Sequence, residues 1–240
     1  MGKTSEINIY SISKIINDLS KLSSLLKKYG FVTRNLVEIY NLDNLISRFQ
    51  IQNYTKEFDT KDIIFHVSTS GMKNNPIIEE LSVTLNLSYT LSEDLSEKKD
   101  CFNKYQLEIY IEGNSVNNSK QWFSWHLDRE ENTSGNYIHP LYHFHAGGNK
   151  IIGKNIGDLL MISSPRIPHP PMDIILAIHF IILNFVHAKD FNEQRKILED
   201  DNYKALIYKA KKLIINPYFD CILNDNNDSY KSFQLFPIIA

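Results

Sequence analysis

The chain has 240 residues, of which 42% are hydrophobic and 22% charged, with a formal net charge of −2 at pH 7. That balance belongs to a globular protein and excludes low-complexity disorder, and the length suits one large domain or a domain with a helical annex. The one local basic cluster, Lys204, Lys209, Lys211 and Lys212, reads as the solvated face of a helix, so nucleic acid is not the favoured partner.

Two cysteines, Cys101 and Cys221, stand far apart with no CxxC, which argues against a disulfide framework and a cysteine zinc site and fits a reducing cytoplasm. The start, 1-MGKTSEINIYSIS-13, has no apolar core of signal-peptide length, and Glu6 stands where a myristoylation signal needs Ser or Thr. The bias towards Asn, Ile, Lys and Tyr is that of an AT-rich coding sequence and suggests a bacterial source.

In chain order, Ile12, Ile15, Ile16, Leu19, Leu22 and Leu26 recur at helical spacing and predict a helix over 11–29, capped by Ser11 and ended by Gly30. A weaker helical pattern covers 35–50, and 62-DIIFHVS-68 is a short strand. In 81-LSVTLNLSYTLS-92 the odd positions are apolar (Leu81, Val83, Leu85, Leu87, Tyr89, Leu91) and the even ones polar. Strict alternation marks a strand with one buried and one polar face. The pattern returns in 105-YQLEIYIEG-113, in 122-WFSWHLDRE-130, and in Tyr142, Phe144 and Ala146 alternating with His143 and His145. Successive alternating strands joined by polar loops predict an antiparallel meander.

The run 174-IILAIHFIILNFV-186 is apolar on all sides but shorter than the roughly 20 residues a membrane span needs, so it reads as a buried helix over 173–187. A last helix over about 192–215 carries Leu206, Ala210, Leu213 and Ile214 as its inner stripe and stops at Pro217. The expected fold is a two-layer α+β domain over 1–240, with an antiparallel four-to-five-stranded meander and helices on one face. Its helical N-terminal part covers about 1–60, its sheet about 62–163 and its C-terminal helices about 171–216.

The chemistry concentrates in 137-YIHPLYHFHAGGN-149, with His139, His143 and His145. Alternation puts His143 and His145 on the polar face of one strand, and His126 and Asp128 on the polar face of the strand before it. In a hairpin between them, even residues of the first must oppose odd residues of the second, and two of the allowed registers gather the site. One sets His126 opposite His143 and Ser124 opposite His145; the other sets Asp128 opposite His143 and His126 opposite His145. Glu108 and Tyr110 fall one strand further over. Imidazole is the commonest metal ligand, and a neighbouring carboxylate orients a ring or raises its pKa. The candidate catalytic residues are therefore His126, Asp128 and His143. The candidate ligands for one divalent ion, zinc or manganese, are His143, His145 and His169.

His169 enters through 164-SPRIPHPPMD-173, where Pro165, Pro168, Pro170 and Pro171 make a stiff, extended lead-in to the apolar helix. Pro171 suits that helix's first turn and Asp173 its N-terminal dipole. Rigidity there fixes Arg166 and His169, and His169 joins His143 and His145 if the segment runs along the sheet edge. Gly147 and Gly148 suit a turn. No phosphate loop and no Gly-x-Ser-x-Gly is present.

The order helix over 11–29, meander over 81–146, proline segment and helix over 164–187 is similar to the ubiquitin-conjugating-enzyme fold. That family places its nucleophilic cysteine between the proline turn and the next helix. This chain has no cysteine between Cys101 and Cys221, so the resemblance implies a binding module without thioester transfer. The leading functional expectation is a non-catalytic subunit that holds another protein by its polar sheet face or loops. The alternatives are a metal-dependent hydrolase or nuclease, and a metal-free His/Asp acid–base enzyme.

Overall fold

The computed structural model describes residues 12–31, 37–38, 40–51, 56–69, 78–92, 95, 99–117, 119–130, 140–147, 151–154 and 166–223. Ser11, His139 and Gly148 lie outside them.

Helix α1 spans Ile12–Lys28 and buries Ile15, Ile16, Leu19, Leu22 and Leu26, the predicted stripe. Gly30 follows it with φ +73°, the left-handed turn that glycine adopts without strain. Val37–Glu38 form a two-residue strand β1, and helix α2 runs Tyr40–Ile51. The meander follows as β2 (Glu57–Val67), β3 (Ile78–Leu91), β4 (Phe102–Ser115), β5 (Lys120–Arg129) and β6 (Tyr142–Ala146). Strand β7 (Ile167–Pro168) closes the far edge, so the sheet has seven strands in sequence order, each pair antiparallel. The two strands beyond the expected count are the two-residue edges. Proline costs nothing at such an edge, because no further strand asks for its N–H.

Strand β2 starts well before residue 62 because its alternation changes phase. Phe58 and Thr60 are buried, then Ile63, Phe65 and Val67. Between them the register to β3 shifts and Asp62 takes φ 46°, its N–H donating to Asn86 Oδ1 at 2.8 Å. This is a bulge, and one inserted residue swaps which parity faces inward.

The core joins the odd face of the sheet to the helices. Val83, Leu85, Leu87, Leu107, Ile109 and Leu127 are fully or almost fully buried on the sheet side. Helix α3, Ile174–Phe185, supplies Ile174, Ala177, Ile178, Ile181 and Ile182 from the other. Pro171 stands ahead of this helix rather than in its first turn, and Asp173 is its N-cap, accepting from the Leu176 N–H at 2.8 Å. No helix among the described residues is long and apolar enough to cross a membrane.

The single helix expected over 192–215 is broken. A short α4 (Asn192–Arg195) and a 3₁₀ turn (Lys196–Glu199) precede α5 (Asp201–Ala210). Asp200 starts α5 afresh by accepting from the N–H groups of Asn202 and Tyr203. Pro217 does not end the helix. A π-helical turn over Lys211–Ile215 leads into α6, Asn216–Leu223. The wider turn spares the backbone the i−4 bond that proline would otherwise break. Leu206, Ala210, Leu213 and Ile214 are all buried, as the stripe predicts.

Candidate metal centre

Register assembles the site. On β5 and β6 the pairs are His126↔His145 and Asp128↔His143, one of the registers that the pattern allows. On β4 and β5 they are Glu108↔His126 and Gln106↔Asp128. Across the β7 edge His143 faces Pro168. Two adjacent rows of side chains therefore cross the even face: Glu108, His126, His145 in one, and Gln106, Asp128, His143, Pro168 in the other.

This face is open at one side and closed at the other. Ser88 is exposed on β3, whereas Ser124, His126 and His143 are only 0%, 4% and 3% exposed. Over β5 and β6 the polar face is covered, and the histidines sit in a partly dry environment.

Within it, the rings form a row. His126 and His145 stack with centroids 5.5 Å apart, and His143 and His145 at 5.3 Å. His145 Nε2 lies 3.1 Å from Asp128 Oδ2, and since a carboxylate only accepts, Nε2 is the donor. His145 Nδ1 is buried and has no hydrogen-bond partner. His143 Nδ1 donates to the Pro140 carbonyl at 3.1 Å, which leaves Nε2 as the unprotonated nitrogen of its neutral ring. Burial lowers the His143 pKa and outweighs the hydrogen bond to Pro140, which raises it, so the neutral ring is favoured.

His126 behaves oppositely. Its Nε2 is 3.1 Å from Glu108 Oε1 and its Nδ1 3.8 Å from Asp128 Oδ2. Burial pushes its pKa down, but the two carboxylates outweigh this and raise it to about 9, so the ring is an imidazolium at neutral pH. Burial pushes Asp128 up, yet His126 and His145 together hold its carboxyl well below the usual carboxylate range. Ser124 Oγ adds a long hydrogen bond, 3.4 Å, to the same oxygen of Glu108.

The donor atoms of Asp128, His143 and His145 all lie within 4.8 Å of one another. Ligands of one tetrahedral ion at bonds of ~2.0–2.2 Å stand roughly 3.4 Å apart, so the triad has to close by about 1 Å around an ion. One carboxylate and two imidazoles, one of them held by a backbone carbonyl, form a donor set suited to zinc or manganese.

His169 is not part of this group. Pro168 takes the place beside His143, and the next residue turns to the helix side. There the His169 ring lies 5.5 Å from that of Phe144, which packs on Phe180 of α3. Its Nδ1 donates to the Pro170 carbonyl at 2.6 Å. Glu108 is the site residue that sequence reasoning left without a role; its place on the even face of β4 was the available signal.

No family model, curated protein or solved structure matches the chain. The order helix, meander, proline segment, helix is present, but the similarity to ubiquitin-conjugating enzymes goes no further than that order. Cys101 is buried, and burial pushes its thiol well above the ordinary range, so it is no nucleophile.

Proposed function

We propose that the chain is a metal-dependent hydrolase holding one divalent ion, zinc or manganese, by Asp128, His143 and His145. The observation that carries this reading is the convergence of three ligand-capable atoms within 4.8 Å on two paired strands. Three protein ligands leave a coordination position for water, and a bound divalent ion brings the pKa of that water towards roughly 7. His126 is then a positioning residue. As an imidazolium clamped by Glu108 and Asp128, it keeps Asp128 ionised and aimed, as outer partners of metal ligands do.

The metal-free acid–base reading takes His126 or His143 as base; the neutral ring of His143 suits that role, and His126 does not. At a pKa of about 9 the His126 ring is already protonated at neutral pH and cannot accept a proton. The reading as an interaction subunit working through the polar face loses support where that face is closed over Ser124, His126 and His143.

The test is turnover of chromogenic phosphate and carboxylate esters by the purified chain. Activity should vanish on chelation and return with zinc or manganese. Turnover that survives chelation contradicts the proposal.

A further inference from the structure

The register that gathers the metal ligands also brings a permanent cation to their edge. Pro168 pairs with His143 and Ile167 with Phe144. Continuing this antiparallel ladder by one residue sets Arg166 level with His145, and alternation gives it the face of His143 and His145. The row Glu108, His126, His145 thus ends in Arg166. Proline at 168, 170 and 171 holds the segment extended, so the register is stiff.

Two of the three Arg166 nitrogens find no acceptor among the described residues. These are Nε and Nη1, and both are buried. The carboxylates of the two rows are engaged elsewhere, Glu108 by His126 and Ser124, Asp128 by His145 and His126. A guanidinium stays charged at any accessible pH and carries five N–H donors in a fixed plane. Buried donors of a charged group without acceptors are costly, and the natural complement to this one is an oxyanion.

We propose that Arg166 and the metal centre together bind the oxyanion of a ligand, a phosphate or carboxylate group. One of its oxygens takes the open metal position and another accepts from Arg166. The metal half rests on the centre proposed above, whereas the guanidinium half stands on the β6–β7 register and its unanswered donors.

The experiment is calorimetric titration of inorganic phosphate, and separately of acetate, into the full chain with and without added zinc. Metal content is measured in every sample, and wild type is compared with Arg166→Gln and Arg166→Lys. Wild type should bind phosphate or acetate. Arg166→Gln should weaken that binding roughly tenfold or more at unchanged metal content, and Arg166→Lys should fall between the two. Tighter phosphate than acetate assigns a phosphate ester as ligand, and the reverse a carboxylate. The inference is overturned if wild type binds neither anion in either state, a result that needs no variant to fold. It is equally overturned if folded Arg166→Gln binds as wild type does. Metal uptake without Arg166-dependent anion binding overturns this inference and spares the metal centre. Arg166-dependent anion binding without metal uptake overturns the metal centre and with it the metal half of this inference, and leaves the guanidinium half.

Discussion

His145 points Nε2 at Asp128 Oδ2 from 3.1 Å while its Nδ1 is buried with no partner. The same carboxylate oxygen lies 3.8 Å from His126 Nδ1. One acid therefore faces two rings, so the strand pair holds the carboxylate and the imidazoles together before an ion arrives.

A ligand that binds only the folded state raises its stability by mass action, by ~2.7 kcal/mol at a hundredfold excess over Kd. For a chain of this size that is a rise in Tm of about 5–10 °C. Zinc or manganese should produce it in scanning fluorimetry of wild type and fail to in His145→Ala. The same shift in both proteins would place the ion elsewhere.

Glu108 and His126 form a buried ion pair, and removing Glu108 leaves His126 only the longer contact to Asp128, a loss of up to the roughly 3–5 kcal/mol of a broken buried pair. Glu108→Gln should destabilise by that order in urea unfolding. The double change Glu108→Gln with His126→Leu should recover more than about 1 kcal/mol of the summed single losses. Strict additivity would mean that the two residues do not interact.

The meander and its site were legible to different depths. Strict alternation in 81–92, 105–113 and 122–130 gives strand, face and order, because period two follows from backbone geometry alone. It also restricts the β5–β6 register to those that set even residues of β5 opposite odd residues of β6. Sequence does not choose between them: the loop that joins the strands carries no signal for its own length in space. The start of β2 was hidden because the bulge at Asp62 reverses the parity. His169 was misplaced by one residue of phase, since Arg166 and Pro168, not His169, share the face of His143. Closure of the polar face over His126 could not be read either, because burial there depends on what packs above the sheet and not on the strands themselves.

Asp173 supplies a pH test away from the metal site. Burial lifts its pKa from 3.8 to about 7, against the N-terminal N–H groups of α3, so the folded state prefers the protonated acid. Its contribution to stability is fully present below about pH 4 and is lost as pH rises through about 7. Asparagine keeps the capping acceptor without the charge. Asp173→Asn should therefore be more stable than wild type above pH 7, by up to about 4 kcal/mol, with the difference vanishing near pH 4. A difference independent of pH would contradict the assignment.

Tyr105 fastens β4 to the entrance of α3. Its buried hydroxyl donates to the Met172 carbonyl at 2.9 Å and accepts from the Met172 N–H at 3.1 Å. Tyr105→Phe leaves both backbone groups unsatisfied and should cost about 1–3 kcal/mol in chemical unfolding. A change under about 0.5 kcal/mol would show that the backbone groups find other partners.

The central claim is that Asp128, His143 and His145 hold one ion, and elemental analysis of the purified, untagged chain tests it most directly. Zinc, manganese, iron and nickel should be counted per chain, for wild type and for His143→Ala and His145→Ala variants confirmed as folded. The account predicts about one zinc or manganese per wild-type chain and close to none in either variant. No metal in wild type after incubation with each ion, or undiminished metal in both variants, would contradict it.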